Sequence, residues 1–233
     1  MEKEKIEAAL EGIWNKYNDG QFENGTVKQV LFDGRKYVYA EPECGKNILI
    51  TGLNPSYQAK NKKILTPYKY SETDSSFFTT IKKTINHTED SAYLDLFYYR
   101  QTEPFFLKEI YDEGPEGLQF LADQLYLTQH LIEETKPKLI IVLSEESWVF
   151  WGKDPNFIWM GYNFEDVNGT NLKEGELLRI TGLKYSTFRV AKDINYTALD
   201  GTLVYFSKSL NKADANTKKG VAEDMKKIFN TYL

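Results

Sequence analysis

Residues that could hold a ligand follow the first strongly apolar run of the chain. The run Asn47–Leu53 leads directly into Asn54, Pro55 and Ser56. Gly52 permits a tight backbone course and Pro55 fixes its φ angle, so the chain would present the Asn54 amide rigidly. A side-chain amide both donates and accepts hydrogen bonds, which suits recognition of a polar ligand. The same residues also fit an ordinary turn.

A second candidate is a carboxylate in apolar surroundings. Asp95 lies within the run Tyr93–Tyr99, where every other side chain is apolar or aromatic. A lone carboxylate in such a position is costly unless it is paired or functional. Asp95 could therefore belong to a site, or it could pair with Arg100 or cap a turn.

Lysines and tyrosines alternate in the segment after the first candidate. The residues concerned are Lys60, Lys62, Lys63, Lys69, Tyr68 and Tyr70. Basic and aromatic side chains together suit a phosphate backbone and unstacked bases. Exposed lysines that only contact water are the alternative. The net charge of −5 argues against a protein whose whole surface tracks nucleic acid, so any basic surface is local.

Length and composition indicate a globular protein. The chain has 233 residues, 41% hydrophobic and 27% charged, which is enough for one substantial core. We expect a single domain over 1–233, with an N-terminal appendage over 1–45 and a core over 46–233. The sequence has no apolar signal-peptide region and no apolar run long enough to span a bilayer. A cytoplasmic monomer without membrane contact is expected.

The sequence gives little support to a metal or cofactor site. One cysteine, Cys44, and two histidines, His87 and His130, cannot build an internal disulfide or a structural zinc site. Neither of the common glycine-rich phosphate loops is present. We expect no metal ion and no organic cofactor.

Apolar patterning predicts the secondary structure. Helical spacing indicates a first helix over 2–17, and Asp33-Gly34 between 27–32 and 36–40 is typical of a β-hairpin. Further strands are expected at 47–53, 92–97, 138–144 and 202–206, and further helices at 75–85, 115–134, 145–151 and 214–232. Residues 157–189 are expected to be irregular or rich in strands.

This alternation of strands and helices defines the fold class. Short strands with fully apolar centres are typical of strands buried on both faces of a parallel sheet. We therefore expect an α/β protein, a three-layer α/β/α arrangement around a mostly parallel sheet, with an N-terminal helix and hairpin added. In such folds, ligands bind at the carboxyl ends of the strands.

Several of these segments together resemble the uracil-DNA glycosylase superfamily, especially its mismatch-specific and single-strand-selective branches. Gly52-Leu53-Asn54-Pro55-Ser56 is similar to the first family motif, and Ser76–Ile81 is similar to the aromatic-rich start of the next helix. Tyr93–Phe97 and Lys136–Leu143 look like the two core strands that follow. The resemblance extends from about residue 47 to the C-terminus and implies the family's fold.

The resemblance also implies roles for individual residues. Asn54 would position the water that attacks the sugar carbon as the base leaves. One of Tyr57, Phe77 and Phe78 would stack on the flipped base, although both phenylalanines could equally be core residues. Asp95 falls near the residue that reads the base, and an ionised carboxylate there would suit a base edge rich in donors.

The second family motif is only partly matched. The corresponding segment reads Ser207-Lys208-Ser209-Leu210-Asn211. Leu210 and Asn211 agree with the motif, and Leu210 would be the wedge pushed into the base stack. The motif's histidine and both prolines are replaced, leaving Lys208 and the serine hydroxyls as possible substitutes. This difference puts uracil excision, and catalysis of any kind, in doubt.

Three interpretations remain open at the level of sequence. The first is a base-excision hydrolase that cleaves the N-glycosidic bond of a damaged or mismatched base in single-stranded or mismatched DNA. The second is a catalytically inactive module of the same fold that binds nucleic acid, a nucleobase or a nucleotide. The third is an unrelated doubly wound enzyme or ligand-binding domain.

Overall fold

A six-stranded sheet forms the centre of the protein in the computed structural model, which describes residues 1–18, 22, 25–32, 35–57, 67–102, 106–210 and 213–233. The strands are β1 (Ile48–Gly52), β2 (Ser91–Asp95), β3 (Leu139–Val142), β4 (Tyr162–Asp166), β5 (Gly175–Leu183) and β6 (Leu203–Ser207). Their order across the sheet is β2-β1-β3-β6-β5-β4.

Four strands form the parallel part of the sheet. Strand β1 pairs in parallel with β2 and β3, and β3 pairs in parallel with β6. Every residue of these four strands is buried, because helices cover both faces. The predicted mostly parallel sheet and the positions of its four core strands are confirmed.

Seven α-helices of the described residues surround the sheet. They are α1 (Lys3–Asn18), α2 (Gly25–Leu31), α3 (Ser76–Ile85), α4 (Phe106–Asp112), α5 (Pro115–Thr135), α6 (Trp148–Trp151) and α7 (Ala215–Tyr232). Helix α5 contacts α1 and α4, whereas α3 contacts α7. None of the helices in the described ranges is long and apolar enough to cross a membrane.

The two helical layers lie on opposite faces of the sheet. Because paired residues of parallel strands point the same way, Tyr93 of β2 and Tyr205 of β6 share one face through Ile50 and Ile141. The Tyr93 ring meets Phe78 of α3, and the Tyr205 hydroxyl donates to Asp224 of α7. On the other face, the Thr128 hydroxyl of α5 donates a hydrogen bond to the Leu96 carbonyl. These contacts give the expected α/β/α layering.

The N-terminal segment contributes to the same core. Helix α1 buries Ile6, Leu10, Trp14 and Tyr17, as its predicted helical spacing requires. Trp14 and Tyr17 both contact the ring of Phe120 on α5, with centroids 5.4 and 5.2 Å away. The helix is therefore part of the packed structure.

The predicted hairpin at 27–40 is wrong. Residues 25–31 form helix α2, which buries Val27 and Leu31 at the four-residue spacing of a helix. The Leu31 carbonyl accepts a hydrogen bond from the Trp14 indole at 3.2 Å. Residues 36–40 form only isolated bridges, Tyr37 with Tyr99 and Ala40 with Tyr68. The turn at 33–34 lies outside the described residues.

The segment expected to be irregular or strand-rich holds the antiparallel part of the sheet. Strands β4 and β5 pair as an antiparallel hairpin, and β5 adds antiparallel to β6. The two strands extend the sheet on the side away from β2, so they do not disturb the parallel strand ends.

Candidate functional site

The parallel strands bring most of the predicted site residues to one edge of the sheet. Strands β1, β2 and β6 end at Gly52, Asp95 and Ser207, and all three run in the same direction. The loops that begin with Leu53 and Lys208 therefore lie at the carboxyl edge, where α/β folds bind ligands. Since β3 separates β1 from β6, these loops are about 10 Å apart at their origins.

Asn54 is held firmly by the segment that follows β2. Its Nδ2 donates to the Gln101 carbonyl at 2.7 Å and, at 3.4 Å, to the Tyr99 carbonyl. The Pro55 carbonyl accepts from the Gln101 backbone N–H. Among the described residues, no donor reaches Asn54 Oδ1. The amide is thus fixed through its nitrogen, and its oxygen can accept from a bound molecule.

The neighbours of Asn54 differ in exposure. Leu53 is half-buried against the core, Pro55 is buried and Ser56 is exposed. The loop therefore turns outward at Ser56, which places a hydroxyl at the surface beside the fixed amide. Sequence alone indicated this rigid turn but not the carbonyl groups that hold the amide.

Asp95 is enclosed by two tyrosine hydroxyls. Tyr93 donates to Oδ1 at 2.7 Å and Tyr68 donates to Oδ2 at 3.2 Å. The side chain is 3% exposed, and burial raises its pKa to about 7 although both hydroxyls lower it. It forms no ion pair with Arg100, so that alternative is wrong. A base edge would reach this carboxylate only after Tyr68 or Tyr93 moved.

Gly52 makes room for the buried tyrosine–aspartate pair. A Cβ atom at this position would lie 2.0 Å from the Tyr93 hydroxyl and 2.7 Å from Asp95 Oδ1. Both distances are far below van der Waals contact. The glycine of the first motif is required here by the crowded side chains of β2.

Two arginines that the sequence did not single out as site residues approach the Tyr57 ring. The guanidinium carbon of Arg35 is 3.9 Å from the Tyr57 ring centroid, and that of Arg100 is 5.2 Å away. The Tyr57 backbone N–H donates to the Thr102 hydroxyl at 3.0 Å. Arg100 ends the apolar run that begins at Tyr93, and a charge in that position was the signal that could have identified it.

The other two candidate stacking residues lie on α3. Phe78 is buried and meets Tyr93 edge-on with centroids 4.8 Å apart. Phe77 is half-buried and contacts both rings. Phe78 is therefore a core residue, because its ring is buried and packed against neighbouring aromatic rings. Of the three candidates, Tyr57 has the contacts expected at a surface site.

The leucine that was predicted to act as a wedge after β6 is buried. Leu210 is 1% exposed and belongs to the hydrophobic core, so the prediction of a projecting side chain is wrong. Ser207 is buried and donates to the Lys208 carbonyl at 3.2 Å. Lys208 is exposed and Ser209 half-buried. Asn211 lies outside the described residues.

The predicted basic segment is described only at its end. Lys60, Lys62 and Lys63 lie outside the described residues, whereas Lys69 is exposed. The Lys69 ammonium lies 3.5 Å from a Glu72 carboxylate oxygen and 3.9 Å from one of Glu41. Lys69 is therefore partly neutralised, which weakens its case as a phosphate contact.

An apolar groove of about 970 Å³ lies beside α5 and α6. Its lining includes Leu118, Phe157, Trp159 and Phe188. None of the predicted site residues lines this groove or the smaller one next to it. The predicted site residues therefore do not converge on either cavity.

The part of the chain that the structure describes holds no group of three or more His, Cys, Asp or Glu side chains placed to bind a metal ion. No protein-family model matches the chain, and no curated protein matches its sequence. The fold and the site define the class: a three-layer α/β/α protein with a fixed amide, an enclosed carboxylate and an arginine–tyrosine cluster at the carboxyl edge of its sheet.

Proposed function

We propose that the protein is a DNA glycosylase-like hydrolase that releases a damaged or mismatched base from DNA. The observation that carries the proposal is the geometry of Asn54, whose nitrogen is bound to the Gln101 carbonyl and whose oxygen can accept from water. Hydrolysis of an N-glycosidic bond passes through a cation-like sugar and a departing base anion, so an enzyme mainly has to place a water and stabilise the anion.

The surroundings of Asn54 support a nucleic-acid substrate. The Tyr57 ring and the two arginines beside it offer stacking and positive charge at the edge where α/β folds bind ligands. The sequence resemblance to the uracil-DNA glycosylase superfamily assigns the same edge to the substrate. In that arrangement the flipped base enters beside Asn54, and Tyr68 and Asp95 lie deeper on the α3 side.

A second candidate, a non-catalytic nucleic-acid or nucleotide-binding module, is favoured by the segment after β6. Its family histidine is replaced, and Leu210 is in the core instead of at the surface. Such a module would keep the ligand contacts of Tyr57 and Arg100 without supplying an electrophile for the leaving base.

A base-release assay separates the two functions. Single-stranded and mismatched DNA would carry uracil, thymine, hypoxanthine, xanthine or oxidised cytosine, with the released base identified by mass. The hydrolase proposal expects release of at least one base with multiple turnovers. Saturable DNA binding with no release from any substrate would contradict it and favour the binding module.

A further inference from the structure

Two arginines, Arg35 and Arg100, converge on the Tyr57 ring. Arg35 donates from Nη1 to the Arg100 carbonyl at 3.3 Å, which places its guanidinium beside the Arg100 backbone. Both guanidinium groups approach the same ring, at 3.9 and 5.2 Å from its centroid. Among the described residues, neither arginine forms an ion pair.

Arg100 is the more unusual member of the pair. It is 8% exposed, and its Nε atom is buried without a hydrogen-bond partner. Burial lowers the pKa of Arg100; the nearby Tyr57 opposes this in part, and the Arg35 charge adds a smaller lowering. A buried cation next to a like charge is unfavourable when, as here within the described ranges, no carboxylate pairs with it, and an anion bound between the two arginines would relieve this cost.

We infer that Arg35 and Arg100 form a binding site for a phosphate group. Each guanidinium presents a planar fork of donors that matches two phosphate oxygens. A tetrahedral phosphate has enough oxygens to accept from both forks, whereas the two oxygens of a carboxylate are satisfied by one. The site lies where the chain leaves β1 and β2, the edge at which α/β folds bind ligands.

The inference does not depend on base excision. A phosphate held here could belong to a nucleic-acid strand or to the end of a nucleotide, and the chemistry of the site is the same for both. Tyr57 then has a positioning role, because its backbone is fixed by Thr102 and its ring contacts both arginines.

Calorimetric titration with inorganic phosphate tests the site directly. We expect saturable binding to the wild type and about tenfold or greater loss of affinity in Arg35→Gln and in Arg100→Lys. Arg100→Lys keeps the charge and much of the volume but removes the planar fork. Arg179→Gln is the matched control, since Arg179 is a half-buried arginine paired with Glu165 on the β4–β5 hairpin. Its affinity should equal that of the wild type.

Further titrations distinguish the source of the phosphate. Tighter binding of a thymidine trinucleotide than of thymidine 5′-monophosphate would identify a strand backbone, and the reverse order a terminal phosphate. Thermal unfolding of each variant shows whether it folds. Absence of saturable phosphate binding to the wild type, or wild-type affinity in folded Arg35→Gln, would overturn the inference. Phosphate binding without base release would support the phosphate site and contradict only the proposed hydrolase function.

Discussion

Asp95 is a predicted site residue with a strongly shifted pKa. Its carboxyl group is enclosed between the hydroxyls of Tyr93 and Tyr68, and its pKa is raised to about 7 by burial. Near neutral pH both protonation states of Asp95 are therefore populated, although a ligand would reach the carboxyl group only after one of the tyrosines moved. The same property makes the stability of the fold depend on pH.

The raised pKa predicts that ionisation of Asp95 destabilises the folded state. The unfolded carboxyl ionises near its ordinary value of 3.8, so the folded state binds more protons between that value and about 7, and stability falls as pH rises through this interval. The free energy of unfolding of the wild type relative to Asp95→Asn should decrease by about 4 kcal/mol between pH 4 and pH 8. Urea denaturation at five pH values measures it.

Asp90 provides a control of opposite sign at the other end of β2. The Asn47 backbone N–H lowers the pKa of Asp90, so this group adds stability that is lost as pH falls. Asp90→Asn should reduce the loss of stability at acid pH. It should leave unchanged the decrease in the free energy of unfolding between pH 4 and pH 8 that is due to Asp95. A difference between wild type and Asp95→Asn that stays constant with pH would refute the assignment.

Gly52→Ala should destabilise the fold by roughly 1–3 kcal/mol, because the added methyl group overlaps the Tyr93 hydroxyl. Tyr93→Phe in the Gly52→Ala background removes that hydroxyl and should restore part of the loss. Gly12→Ala, in α1 with open space around it, should instead stabilise the protein by about 0.5–1 kcal/mol. Chemical denaturation of the four proteins measures these differences, and equal effects at Gly52 and Gly12 would disprove the steric account.

At the scale of elements, local patterning was sufficient for the strands and the long helices. The apolar centre of β3 and the helical spacing of α5 leave few alternatives. Helix α2 was mistaken for a strand because its seven residues are few, although Val27, Val30 and Leu31 already have helical spacing. Leu210 was misassigned because a short motif does not reveal whether a leucine faces the core.

Helix α7 is attached to the sheet through a buried carboxylate that the sequence did not single out. Asp224 accepts from the backbone N–H groups of Lys173 and Glu174 and from the Tyr205 hydroxyl. Asp224→Ala should cost about 3 kcal/mol, since the buried Tyr205 hydroxyl and two part-buried backbone N–H groups lose their partner. Asp214→Ala, which removes only the exposed N-cap of the same helix, should cost less. Thermal and urea unfolding compare them, and a larger loss at Asp214 would contradict this account.

At the scale of the whole molecule, the apolar pattern of the sequence predicted the fold, but it predicted only part of the candidate site. Parallel topology explains why residues far apart in sequence, such as Asn54 and Asp95, lie at one edge of the sheet. The arginine pair depends on Arg35, which reaches the site from a segment outside the sheet, and such long-range contacts leave no local pattern. The net charge of −5 makes any nucleic-acid surface a local one.

DNA binding should therefore depend on a small number of cations. If the protein binds DNA, its affinity should fall as salt rises, and charge reversal at Lys62 and Lys63 should weaken binding and reduce the salt dependence. Charge reversal at Lys226 and Lys227, which are exposed near the end of α7, is the matched control and should have a much smaller effect. Fluorescence anisotropy with labelled single-stranded DNA at several salt concentrations measures both. Binding that is insensitive to salt would count against a nucleic-acid partner.

The central claim is that Asn54 places the attacking water, and single-turnover base release by Asn54→Ala and Asn47→Ala tests it most directly. Asn47 is the matched control, because its amide is likewise held by hydrogen bonds, to Asp90 at the opposite end of β1. We predict that Asn54→Ala lowers the rate of base release by about 100-fold while its DNA affinity is kept, and that Asn47→Ala retains the wild-type rate. A folded Asn54→Ala protein that releases base at the wild-type rate would contradict the account.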